Sequence, residues 1–151
     1  MTRLEVVELP ADRLPGDALL VPLFEDQRPL EGPVGVVDWR LDGALTRMLL
    51  DGELTGRSGE KLALQTNARF AAPWVMVGGS GRWRSLDRSG YLTLIERLLR
   101  MAASASVREI ALCLPPGNQF DPVELERMVS EALIGMDGLK LCRLSCVSGL
   151  N

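Results

Sequence analysis

Residues Pro73–Arg84 read PWVMVGGSGRWR. The first five are apolar without alternation, the pattern of a strand buried on both faces, and such a strand belongs in a sheet covered by helices on each side. The glycine-rich stretch that follows, Gly78-Gly79-Ser80-Gly81-Arg82, holds an anion, presents a nucleophile or merely turns the chain.

Working toward the C-terminus, Ser85 can cap a helix in which Tyr91, Leu94, Ile95, Leu98, Leu99 and Ala102 form one apolar stripe. Arg108–Leu114 (REIALCL) is a second buried-type strand, closed by Pro115-Pro116-Gly117. Asp121, Pro122 and Glu124 then supply an N-cap, a proline at the first helical position and an acid at the third. Leu125, Met128, Val129, Ala132 and Leu133 give that helix its buried stripe, Gly135 stops it, and Leu139–Val147 reads as a last strand.

Toward the N-terminus, Arg3–Glu8 and Ala18–Phe24 read as strands, with Pro22 suited to a sheet edge or a bulge because it cannot donate to a ladder. Glu25–Pro33 is a loop, and a short helix follows from an Asp38 cap through Leu41, Leu45, Met48 and Leu49 to Gly52. Lys61–Thr66 completes the set of strands. Strands alternating with helices predict an α/β protein, a three-layer α/β/α sandwich, with residues 1–151 forming one domain.

The composition, 46% apolar and 25% charged, is that of an ordinary soluble chain. No run reaches the roughly 18 apolar residues of a spanning helix, and the acidic N-terminus is no signal peptide, so the expectation is no membrane and a cytoplasmic location. A net charge of -3 gives no electrostatic reason to expect nucleic acid as a partner. Cys113, Cys142 and Cys146, with no histidine in the chain, make neither a disulfide framework nor a zinc pattern and read as buried reduced thiols.

Motif tests narrow the glycine loop. Ser80 lacks the Gly-x-Ser-x-Gly elbow and a histidine base, and the loop matches neither a P-loop nor a dinucleotide fingerprint. Two readings survive. In one, backbone N–H groups of Gly78, Gly79, Ser80 and Gly81 cradle a phosphate with charge from Arg82, Arg84 and Arg88. In the plainer one, the glycines serve backbone geometry and the arginines are solvated. The acids Asp38 and Asp42, or Glu25, Asp26 and Glu31, could hold a hard cation, but a cap and hydrated loop acids explain them as well, so no metal is expected. Trp83, between two arginines, is a candidate contact surface for a ligand or a second subunit.

Several stretches together resemble the N-terminal domain of the leucyl aminopeptidase, or cytosol aminopeptidase, family. They are Ala18–Glu25 followed by Leu30 and Gly32, Val37-Asp38 with Gly43-Ala44-Leu45, the glycines at 52, 56 and 59 with Arg57 and Glu60, and Val75–Gly78. The family's Val-Gly-x-Gly-Lys turn is one residue longer here, with Arg82 in place of the lysine. The match runs from Asp17 to about Cys146. The resemblance implies a macro-domain-like fold with a mixed sheet. It also implies no catalytic residue and no cofactor, because the family's metal ligands and Asn-Thr-Asp-Ala-Glu-Gly-Arg signature belong to a separate domain. The expected role is therefore that of a stand-alone, non-enzymatic accessory module acting through self-association or a protein partner. The alternative, a module for a phosphorylated small molecule such as ADP-ribose, comes from the likeness to macro domains and would use Gly78–Arg82.

Overall fold

A computed structural model describes residues 1–115 and 120–146. Its strands are β1 (Arg3–Val6), β2 (Ala18–Leu23), β3 (Lys61–Gln65), β4 (Trp74–Gly79), β5 (Glu109–Cys113) and β6 (Leu141–Ser145). Its helices are α1 (Gly32–Arg40), α2 (Ala44–Leu50), α3 (Arg88–Ser104) and α4 (Pro122–Ile134). The strands form one mixed sheet in the order β1-β6-β5-β2-β4-β3, parallel throughout except for the antiparallel pair β3–β4.

The two-residue period of the central strands builds two cores at once. Leu20, Met76, Ile110 and Leu112 face α3 and α4, while Leu19, Val21, Val75, Val77 and Ala111 face α1 and α2. All nine are buried, so β2, β4 and β5 carry no polar face, as the PWVMV pattern requires. The six stripe positions of α3 and the five of α4 are buried too. Each large aliphatic side chain among them contributes about 1.5–3 kcal/mol on leaving water. Arg88 ties the two helices together across their exposed side through Glu124 (3.1 Å) and Glu131 (3.2 Å).

Four local expectations are corrected. Pro22 lies in a central strand: Leu23 faces β4, accepting a hydrogen bond from the Ser80 N–H, so Pro22 faces the β5 side, where pairing has already ended at Leu20. The helix expected from Asp38 is two helices, because Asp42 (φ 56°) and Gly43 (φ 78°) take left-handed conformations between them, and α1 starts at Gly32, inside the expected loop. Asp38 does cap a helix, but the second one: from within α1 its carboxylate accepts from the Thr46 N–H (3.0 Å) and Oγ1 (2.6 Å). The cap of α3 is Asp87, accepting from the Gly90 N–H at 2.7 Å, and Ser85 closes a 3-10 turn ahead of it.

Glycine at 78 and 79 is set by space. A Cβ on Gly78 would lie 2.6 Å from Leu98 Cδ2, and one on Gly79 would lie 2.0 Å from the Arg57 carbonyl oxygen. Gly79→Ala is therefore expected to cost at least about 2–3 kcal/mol. Gly52→Ala, in open space at φ 76°, is strained only by its dihedral and should cost about 1 kcal/mol. Urea unfolding of both variants checks the ranking, and equal losses would refute the steric account.

Candidate functional site

The carboxyl ends of β2, β4 and β5 lie at one edge of the sheet. There β2 and β5 are neighbours whose onward connections diverge, one toward β4 and the other toward β6, which makes their junction the topological switch point. At the same edge, a crevice of about 220 Å³ opens between the residues that follow β2 (Asp26 to Pro29 and Glu31) and Trp83 and Arg84, which follow β4.

The expected anion cradle is built from donors that already have acceptors. Gly79 N–H donates to the Glu60 carbonyl (2.8 Å), Ser80 N–H to Leu23 (2.9 Å) and Gly81 N–H to Gly56 (2.9 Å). Gly78 and Gly79 are the last residues of β4, and the Ser80 hydroxyl donates to the Gly78 carbonyl at 3.0 Å. Beyond them, the N–H groups of Trp83 and Arg84 do converge on an anion. It is the protein's own: the Asp26 carboxylate accepts both, at 2.8 and 3.1 Å. Arg82 pairs with Glu25 at 2.9 Å and Arg88 with the α4 acids, so two of the three arginines suggested for a phosphate have carboxylate partners.

These contacts answer for the loop acids as well. Partial burial raises the Asp26 carboxyl pKa, but the N–H donors of Arg84, Trp83 and its own backbone, with the Arg84 charge, outweigh that and hold it below the usual carboxylate range. Glu60 is likewise raised by burial and lowered further by donors: Thr55 N–H (3.0 Å), Thr55 Oγ1 (2.5 Å) and Gly56 N–H (2.6 Å). Asp42 pairs with Arg69. Among the described residues no group of three or more acids and thiols is arranged to hold a metal ion.

Trp83 is partly buried within an aromatic ladder across the strand ends. Its ring meets Phe24 at 4.9 Å and Tyr91 at 6.2 Å, and Tyr91 meets Phe120 at 5.5 Å, all edge to face. Tyr91 also donates its hydroxyl to the Pro115 carbonyl (3.3 Å), and burial pushes its pKa up. The three thiols are free; burial pushes Cys113 and Cys142 up to about 12 and Cys146 to about 11, so all stay protonated and unreactive at neutral pH.

The pairing of residues 25–26 with 81–84 escaped sequence reasoning, although register contains it. Leu23 and Gly79 are partners in a parallel ladder, so the residues just past each strand end must lie side by side. Asp26 stabilises the native state above its unfolded pKa near 3.8, and that contribution is lost as pH falls through its lower folded value. Asp26→Ala should cost about 1 kcal/mol at pH 7, with a difference from wild type that shrinks below pH 3.8. Chemical denaturation across that pH range checks it; a pH-independent difference would refute the capping role.

Residues 20–136 match the family model described as cytosol aminopeptidase family, N-terminal domain. A probable cytosol aminopeptidase of Alkaliphilus oremlandii is 22% identical over 142 residues, covering 92% of this chain and 27% of the relative. One from Idiomarina loihiensis is 35% identical over 81 residues, covering 54% and 16%. Among solved structures, a mutant tomato leucine aminopeptidase superposes on all of the chain with a TM-score of 0.74 at 15% identity, over 34% of its own length. The macrodomain of Mycobacterium tuberculosis DarG matches 96% of the chain with a TM-score of 0.66 at 14% identity, over 99% of its length. A Trypanosoma brucei macrodomain in complex with ADP-ribose matches 95% of the chain with a TM-score of 0.65 at 17% identity, over 63% of its length. The fold is thus macrodomain-like.

Proposed function

The chain belongs to the cytosol aminopeptidase family through its N-terminal domain, and we propose that it works as a non-catalytic module through protein contacts, by self-association or by docking on a partner such as a full-length aminopeptidase. The chain spans about a quarter of the length of curated relatives, 24% and 27% for two of them. The relatives' name supports a cytoplasmic location. Among the described residues no helix is long and apolar enough to cross a membrane.

One observation carries the reading. The layer of α1 and α2 buries Val36, Val37 and Leu45 against the sheet yet leaves Trp39 61% and Leu50 81% exposed. Trp39 keeps the Arg40 guanidinium over its ring at 5.6 Å. Tryptophan and arginine are both among the residue types enriched where protein surfaces bind tightly. Trp83, by contrast, has its ring engaged by the core, so the proposed contact surface moves from that loop to the helical layer.

A second reading, a module for a phosphorylated ligand, draws on the macrodomain solved with ADP-ribose and on the crevice at the carboxyl ends of β2 and β4. The acids Asp26 and Glu31 in that crevice weigh against a diphosphate. Sedimentation equilibrium should show species above the monomer mass, or a complex with a full-length aminopeptidase, weakened about tenfold or more by Trp39→Glu. Calorimetry with ADP-ribose should give no saturable heat. A strict monomer that ignores the aminopeptidase and titrates ADP-ribose would exchange the two readings.

A further inference from the structure

We propose that a second cavity, between α3 and the β3–β4 edge, binds a small organic anion: an apolar body carrying a carboxylate or a phosphate ester. This goes beyond both functional readings and depends on neither. The cavity measures about 360 Å³, toward the small end of ligand pockets.

Its chemistry follows from the α3 periodicity. Leu94, Leu98 and Met101 point toward the sheet and give the cavity an apolar floor, continued by Gly78, against which Leu98 packs where a side chain would begin. Arg97 and Arg100 fall between those positions on the same helix and stand exposed at the rim, with Lys61 of β3 opposite. Arg97 donates to the Ser58 hydroxyl, which holds its guanidinium in place without neutralising it. Lys61 and Arg100 make no ion pair with any described residue.

The one acid among the lining residues, Glu60, has its carboxylate engaged by three donors from Thr55 and Gly56. Three cations therefore face an apolar floor, and the one acid that lines the cavity is already partnered. A ligand that satisfies both parts needs an anionic head for the rim and a hydrocarbon or aromatic body for the floor. A bare inorganic anion would use the rim alone. Side chains supply every contact, since the neighbouring N–H groups of Gly79 and Ser80 are occupied.

Backbone amide shifts of labelled protein, titrated separately with octanoate, phenyl phosphate and inorganic phosphate, test this. Expected are saturable shifts confined to residues 58–61, 78–80 and 94–101 with at least one organic anion, at least tenfold tighter than with inorganic phosphate. The preferred organic anion tells a carboxylate ligand from a phosphate ester. Arg97→Ala with Arg100→Ala, both on the exposed side of α3, should weaken that binding at least tenfold while the rest of the spectrum stays native. Lys61→Ala provides an independent check should the double variant lose its fold. No saturable shift, shifts centred on Trp83 instead, equal affinity for inorganic phosphate, or indifference to the removed cations would overturn the proposal.

Discussion

The Arg57 carbonyl oxygen occupies the place where a side chain on residue 79 would begin. That contact brings the irregular 55–60 segment flush against the end of β4, where Gly59 N–H donates to the Gly79 carbonyl and Gly79 N–H to the Glu60 carbonyl. Once the two backbones are locked, Gly81 reaches Gly56, Glu25 reaches Gly81, and Asp26 finds the turn at Trp83 and Arg84. The functional edge of the sheet is thus held by one network of backbone bonds, with two carboxylates, Glu60 and Asp26, finishing it where no carbonyl is available. Side-chain bulk at position 79 would break the network at its first link.

How much of this could be read from residues depends on the range of the forces involved. Helices α3 and α4 were legible because a 3.6-residue stripe is local; at α4 Asp121, Pro122 and Gly135 also fall where expected, whereas the cap of α3, read at Ser85, is Asp87. The central strands were legible because burial on both faces leaves a continuous apolar run, and the three-layer α/β architecture followed from their alternation with helices. The mixed sheet and the likeness to macrodomains came through the family resemblance, not through periodicity. The larger failures were nonlocal. Pro22 looked like an edge residue because nothing in the sequence says where the β5 pairing ends. Asp38 looked like the start of a helix because its capping partner, Thr46, lies eight residues on, past a left-handed break at Asp42 and Gly43.

The glycine loop shows the same limit at the candidate site. Three glycines and nearby arginines suit a phosphate as well as a turn, and choosing between them requires knowing where each N–H goes. In the structure those of Gly79, Ser80 and Gly81 go to carbonyls, and the convergent pair two residues later goes to Asp26. At this edge of a fold shared with a macrodomain solved in complex with ADP-ribose, the paired donors of Trp83 and Arg84 are filled from within by Asp26.

The order of the sheet bears on how the molecule is made. Among the described residues β1 pairs only with β6, Arg3 against Leu141, so residues 3–6 have no partner in this sheet until residues 141–144 have been made. During that interval β2 and β4 can already pair and α3 can already close over them, which leaves residues 3–6 as a waiting edge. Its charged residues Arg3 and Glu5, paired with each other at 3.2 Å in the finished sheet, keep that edge poorly suited to annealing with a neighbouring nascent chain. Of the six described strands, β1 is made first and paired last.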